Sequence, residues 1–201
     1  FRRVLFRSQS RRSARYAEAL AILEQKGLIY GCACSRKEIL ASAPHPGEEG
    51  PIYPGLCRAG LPLGRRPRAW RLRVPAHSVT LIDGVRGRQS QHLAEEVGDF
   101  VVRRADGLFA YQLAVVVDDA DSGVTQVVRG QDLLTSTPRQ IYLQECLGLP
   151  HPCYIHLPLA LAADGEKISK RHGAVAVGRE EGGTLIAAAL QIGRASCRER
   201  V

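Results

Sequence analysis

Apolar and polar positions first alternate with a helical period. In Ser13–Ile29, Tyr16, Ala19, Leu20 and Leu23 recur three and four residues apart, with Glu18, Glu24, Gln25 and Lys26 on the other side. This predicts an amphipathic helix that Gly27 can stop. The period then shortens. Trp70–Val74 alternates apolar and basic residues as a half-buried strand does, Val79–Gly84 is a second candidate ending in an Asp-Gly turn, and Gly98–Arg104 is a third, before a turn at Asp106-Gly107, so three strands are expected. Their arginines (71, 73, 103 and 104) suit either an RNA-facing surface or a solvated strand edge. Leu108–Val117 is almost continuously apolar, and periodicity does not decide between buried strand and buried helix there.

After it, Val124–Gly130 reads as a strand from its β-branched content. A helix to Leu147 follows, with Thr137 expected as N-cap, Pro138 at the first helical position, and Ile141, Leu143 and Leu147 inward. Gly148 closes it. Cys153–Leu161 is a short buried strand. Strand, helix, strand predicts a parallel α/β unit, and such sheets bind ligands at the carboxyl ends of their strands.

Two features fall at those ends. Arg129, next to Gly130, offers a planar fork that matches a carboxylate, and Tyr111 interrupts the apolar run, so together they could hold a small acidic substrate. The second is Asp164–Ala174, which sets Lys167, Ile168, Ser169, Lys170 and Arg171 between Gly165 and Gly173. Lysine ammonium groups on a loop hinged by glycine can be brought onto a polyphosphate. A solvated polar loop has the same composition.

Cysteine usage adds a third candidate. Cys32, Cys34 and Cys57 flank turns at Gly31 and at Pro54-Gly55, and three thiolates suit Zn²⁺ with a fourth ligand open among Tyr53, His45 and His77. Unliganded buried cysteines are the alternative.

Length and charge bound the rest. The chain has 201 residues, 45% of them hydrophobic, and no apolar run of the ~20 residues that a membrane span needs. Residues 1–8 and 192–201 resemble translated adapter DNA and are expected to be non-native, leaving an internal piece of a longer gene. They carry a net charge of +5, so only +3 of the formal +8 belongs to residues 9–191, poor support for nucleic-acid binding from charge alone. Without Cys197 an odd number of cysteines remains, which argues against a disulfide framework and for a reducing, cytoplasmic setting.

The stretches "AYQLAVVVDDADSGVTQVVRGQDLLTSTPRQIYLQ" and "HLPLALAADGEKISKRHGA" resemble the second half of the catalytic domain of class I glutamyl-tRNA synthetases. Within that family the chain is most similar to the shortened branch, the glutamyl-Q tRNA(Asp) synthetases. The resemblance implies an α/β fold: the second half of a Rossmann-like parallel sheet plus a strand-rich zinc-binding insertion. Residues 9–30 would form a helix of the catalytic domain, 31–105 the insertion, and 106–191 the second half of the nucleotide-binding catalytic domain.

It also implies one structural Zn²⁺ on Cys32, Cys34, Tyr53 and Cys57, glutamate on Tyr111 and Arg129, and an ATP-binding loop at Lys167–Arg171 with Lys167 and Lys170 catalytic. ATP with Mg²⁺, glutamate and tRNA(Asp) would be the partners of a monomer. The implied reaction forms glutamyl-adenylate and transfers the glutamyl group to queuosine in the tRNA(Asp) anticodon. The first half of the class I fold is absent, so the piece itself is expected to be inactive. Arg171-His172-Gly173-Ala174 looks equally like an ordinary glutamyl-tRNA synthetase, which is the alternative enzyme. A non-catalytic, zinc-supported RNA-binding module is the alternative of another class.

Overall fold

A computed structural model describes residues 8–43, 46–47, 50–159, 183 and 187. A 3₁₀ turn at Gln9–Arg11 leads into helix α1 (Ser13–Gln25), which buries Tyr16, Ala19 and Leu23 as its periodicity demands. The helix ends four residues before the expected Ile29. Gly27 takes φ 66°, so its N–H reaches Glu24 O and Leu28 N–H returns to Leu23 O. This is the 6→1 and 5→2 closure of a left-handed helix terminus. It releases Ile29 into strand β1 (Ile29–Cys32).

Helix α2 (Arg36–Ser42) follows, absent from the reading by period. Ser35 caps it: its Oγ accepts from Glu38 N, and the Glu38 carboxylate accepts from Ser35 N at 2.6 Å. Short strands β2 (Pro46–Gly47) and β3 (Gly50–Pro51) pair with each other. Then come β4 (Ala69–Leu72), β5 (Val79–Asp83), β6 (Gly87–Gln91), the single turn α3 (Leu93–Glu96) and β7 (Phe100–Arg103). Strands β1, β4 and β7 form an antiparallel sheet in that order, and β5 and β6 form a hairpin.

The ambiguous apolar run is helix α4 (Tyr111–Asp121), buried through Leu113, Ala114, Val116 and Val117. Strand β8 (Gln126–Gly130), the 3₁₀ turn Gln131–Leu133, helix α5 (Thr137–Leu147) and strand β9 (Cys153–Leu157) complete the described order. As expected, β8 and β9 are parallel, with Arg129 opposite His156 and Gly130 opposite Leu157. Thr137 is not the N-cap. The chain is already helical at Leu134 and Ser136, so Ser136 takes the cap position and Thr137 is wholly buried inside the first turn. Gly148 ends α5 in the left-handed conformation, as expected.

One apolar core joins α1, β4, β5, β7, α4, α5 and β9, through residues such as Leu23, Leu72, Leu81, Val102, Leu113, Leu143 and Tyr154. A second, smaller cluster holds Tyr30, Cys32, Ala33, Tyr53 and Cys57. Polar ties fix α1 to α4: Arg12 bonds Asp118 and Asp121, Arg15 bonds Asp121, and the Tyr16 hydroxyl donates to Asp118 at 2.8 Å. No helix among the described residues is long and apolar enough to cross a membrane.

Candidate functional site

The smaller cluster is a cysteine knuckle. Cys32 closes β1, Cys34 lies just before the α2 cap, and Tyr53 and Cys57 return on the chain after β3. The three thiols lie within 4.8 Å of one another, a grouping that can hold a metal ion. Tyr53 Oη joins them, 3.4 Å from Cys32 Sγ and 3.6 Å from Cys34 Sγ, while Cys34 and Cys57 sulfurs are 3.5 Å apart. A tetrahedral ion with Zn–S of about 2.3 Å and Zn–O of about 2.0 Å separates its ligand atoms by roughly 3.5–3.8 Å. The donor set therefore fits zinc in both chemistry and spacing. Of the other expected candidates for the fourth ligand, His77 is exposed and stands outside the group, and His45 lies outside the described residues.

Several contacts aim Tyr53. Its hydroxyl accepts from Cys57 N–H at 2.9 Å, and its backbone bridges Gly98. A Cβ on Gly98, which has φ 72°, would sit 2.5 Å from Tyr53 O, so only glycine allows this approach. The Arg71 guanidinium stacks 3.7 Å above the Tyr53 ring and donates to Asp99 O at 2.7 Å. Asp99 in turn accepts from the Tyr30 hydroxyl and from Val74 N–H.

Burial alone would raise the Cys32 thiol, but its hydrogen bonding with Tyr53 and Arg71 outweighs it and holds the thiol below its ordinary range. Cys34, without Arg71, is pushed up by burial to about 11. Arg71 is thus a buried cation placed against a group of potential anions.

The second locus is the carboxyl end of β8. Arg129 Nε donates to His156 Nε2 at 3.0 Å, and its Nη2 donates to Thr137 Oγ1 at 2.7 Å and Gln140 Oε1 at 2.8 Å. Gln140 passes the contact on to Gln112 in the first turn of α4 at 2.9 Å. His156 is fully buried and bonds Asp83, from the β5–β6 hairpin, at 2.7 Å. Desolvation opposes the Asp83 charge. Backbone N–H groups of Arg86 and Val85 and the His156 ring outweigh that, pulling the carboxyl down to about 2. Burial pushes the Asp119 carboxyl of α4 up, against the pull of Arg129.

Tyr111 is the first residue of α4, half exposed, and its hydroxyl makes no hydrogen bond among the described residues. It is not the satisfied core tyrosine that its apolar neighbours permit. Arg129 has no direct bond to it; the hydrogen bonds from Arg129 through Gln140 end at Gln112, the next residue in the chain. Lys167, Ile168, Ser169, Lys170 and Arg171 lie outside the described residues. The chain leaving β9 is still beside Gly130 at Leu159, whose Cδ2 would be 3.0 Å from a Cβ there. Asp83 and His156 were not singled out by motif, because nothing in their spacing links residues 73 positions apart.

Residues 4–183 match the family described as tRNA synthetases class I (E and Q), catalytic domain. The chain belongs to this family. It is 58% identical over 184 residues to the glutamyl-Q tRNA(Asp) synthetase of Dechloromonas aromatica, covering 91% of this chain and 61% of that protein. It is 55% identical over 190 residues to the protein of the same name from Geobacter sulfurreducens, covering 91% and 60%. The chain thus spans about three fifths of the length of these curated relatives. Among solved structures it is similar to a glutamate tRNA ligase from Elizabethkingia meningosepticum in complex with its amino acid. There the TM-score is 0.67, with 26% identity over 82% of this chain and 36% of that one. As a class I synthetase catalytic domain, the chain carries mixed α/β sheets, with β8–β9 its described parallel pair. The family match starts at residue 4, inside the segment 1–8 expected to be non-native.

Proposed function

We propose that this chain is part of an enzyme that activates glutamate with ATP and transfers the glutamyl group to queuosine in the anticodon of tRNA(Asp). The observation that carries the reading is Arg129. Its guanidinium stands at the carboxyl end of a parallel strand, held by His156, Thr137 and Gln140 on Nε and Nη2. Nη1 has no partner among the described residues and is left to take one oxygen of a substrate carboxylate, a charge-assisted bond. Tyr111, exposed on the first turn of α4, supplies a hydroxyl for the same substrate.

In this reading the side-chain carboxylate of glutamate pairs with Arg129, and its α-carboxylate attacks the α-phosphate of Mg²⁺-bound ATP. Charge then accumulates on the phosphate oxygens and the departing pyrophosphate. Lys170, with Lys167, neutralises that charge more in the transition state than in the ground state. Cys32, Cys34, Tyr53 and Cys57 would hold Zn²⁺, which when bound supplies structural cross-linking of the knuckle. The similarity to named glutamyl-Q tRNA(Asp) synthetases supports the choice of acceptor.

The test uses the chain extended to the length of its relatives. Glutamate-dependent ATP–pyrophosphate exchange is expected, followed by glutamyl transfer to queuosine-containing tRNA(Asp) and not to the same tRNA lacking queuosine. Lys170→Ala should slow the exchange by about 10²–10³; unchanged exchange would remove the lysine from the mechanism. The second reading is an ordinary glutamyl-tRNA synthetase, which the Arg171–Ala174 ending of the loop fits equally well. It predicts charging of the 3′ end of tRNA(Glu) instead.

A further inference from the structure

We propose that Asp83 and His156 are positioning residues that set the orientation of the Arg129 guanidinium, so that a hairpin remote in sequence controls the grip on the substrate carboxylate. The proposal deepens the glutamate reading of Arg129 and rests on it. Its basis is a continuous line of buried hydrogen bonds. Asp83 Oδ2 lies 2.7 Å from His156 Nδ1, and His156 Nε2 lies 3.0 Å from Arg129 Nε.

The direction of each bond follows from the chemistry at its ends. An arginine Nε–H can only donate, so His156 Nε2 must present its lone pair. The imidazole proton then sits on Nδ1 and is donated to the Asp83 carboxylate. One tautomer alone satisfies both ends. The opposite tautomer would face the Arg129 N–H with an N–H and leave Asp83 Oδ2 without the imidazole donor.

The remaining neighbours hold this arrangement in place. Thr137 Oγ1 lies 3.1 Å from His156 Nε2 and accepts from Arg129 Nη2, and the Tyr154 ring stacks on His156 with centroids 6.2 Å apart. Asp83 has little freedom, because its Oδ1 accepts from Val85, Arg86 and His156 N–H groups. Both Asp83 and His156 are buried, at 2% and 0% exposure. A carboxylate and an imidazole removed from water cost stability unless they pair, and this pairing ends on the arginine expected to hold the glutamate carboxylate. A carboxylate that fixes an imidazole tautomer is an established device for orienting a third group.

Asp83→Asn tests it, because asparagine can keep the Oδ1 acceptor and so leaves the hairpin turn intact. Its amide in place of Oδ2 donates to Nδ1 and drives the proton to Nε2, against Arg129. The first measurement reads the wild-type chain: ¹⁵N NMR of histidine-labelled protein, with His156 assigned by its loss in His156→Gln. The neutral Nδ1–H tautomer is expected. An Nε2–H tautomer, or fast exchange between the two, would overturn the relay.

The second measurement is steady-state exchange in the chain extended to its relatives' length. Asp83→Asn should raise KM for glutamate by about 10–100-fold with kcat and KM for ATP nearly unmoved, since it removes orientation rather than chemistry. A flipped tautomer with unchanged KM for glutamate overturns the positioning role. If the wild-type protein shows the expected tautomer but does not use glutamate, the substrate reading fails and the positioning role with it, while the hydrogen-bond relay stands.

Discussion

Replacing Gly98 by alanine asks whether the approach of its backbone to Tyr53 is what aims the phenol at the three sulfurs. Two costs are superposed there. The φ of 72° is left-handed, which charges any residue with a Cβ about 1–2 kcal/mol. The new Cβ would also lie 2.5 Å from Tyr53 O and 2.9 Å from Tyr53 N, where ordinary contact begins near 3.4 Å. Backbone must therefore retreat by nearly an ångström, because no flexible side chain is available to move instead. Gly107→Ala separates the two costs: its φ is 83°, and nothing lies within 4 Å of its Cβ position.

Gly107→Ala is expected to lower the unfolding midpoint by a few degrees, at roughly 2–4 °C per kcal/mol for a chain of this size, and to leave metal uptake unchanged. Gly98→Ala should lose at least twice the stability, and its zinc stoichiometry should fall well below one per chain. Thermal unfolding of metal-free protein and zinc measured by elemental analysis of the loaded protein read the two effects separately. Equal stability loss in the two variants, or full zinc content in Gly98→Ala, would refute the view that this glycine holds Tyr53 in place.

Tyr53→Phe keeps the ring under Arg71 and removes only Oη, so zinc affinity should weaken by about 10–100-fold in competition with a chromophoric chelator; unchanged affinity would make the site three-coordinate in protein ligands. Asp83 contributes an acid limb to stability. Its folded pKa of about 2 is depressed below the ordinary carboxylate value. The contribution is therefore present above about pH 4 and lost as pH falls toward 2, about 2 kcal/mol in all. Denaturant unfolding at pH 5 and pH 2.5 should show that loss in the wild type and a smaller one in Asp83→Asn; equal losses would mean that the carboxylate is not stabilised by folding. Leu143 is wholly buried where α5 meets the main core, and Leu143→Ala should cost about 2–5 kcal/mol in the same assay without changing zinc content.

Where one periodicity and one turn residue acted together, the fold was legible in the sequence. The buried face of α1, the hairpin strand Val79–Asp83, the parallel β8–β9 pair and the Gly148 terminus all follow from spacing and propensity. The end of α1 is not legible from period, because Leu28 and Ile29 continue its apolar character while Gly27 reverses the backbone before they are reached. Helix α2 shows only a weak period, yet Ser35 and Glu38 three residues apart are a capping-box signature that would have found it.

Thr137 carries a good N-cap side chain, but the preceding 3₁₀ turn starts the helix early and its hydroxyl serves Arg129 instead. The thiols of the knuckle were legible as a candidate group because three cysteines beside two turns suit a single metal ion. Asp83 and His156 were not, since a tertiary hydrogen bond leaves no periodic trace along the chain. Arg71 was legible only as one basic residue on a strand; its place above Tyr53 depends on the β1–β4 register.

The two apolar clusters differ in how separable they are. Leu72, Val74, Val79, Leu81, Leu93, Phe100 and Val102 share their packing with α1, α4 and α5, so cutting out residues 31–105 would tear open the main body of the protein. The five residues around the cysteines pack chiefly on one another. An engineer should therefore alter the knuckle in place, because its Arg71 support adjoins Leu72 and its Gly98 support lies two residues before Phe100, both in the main core.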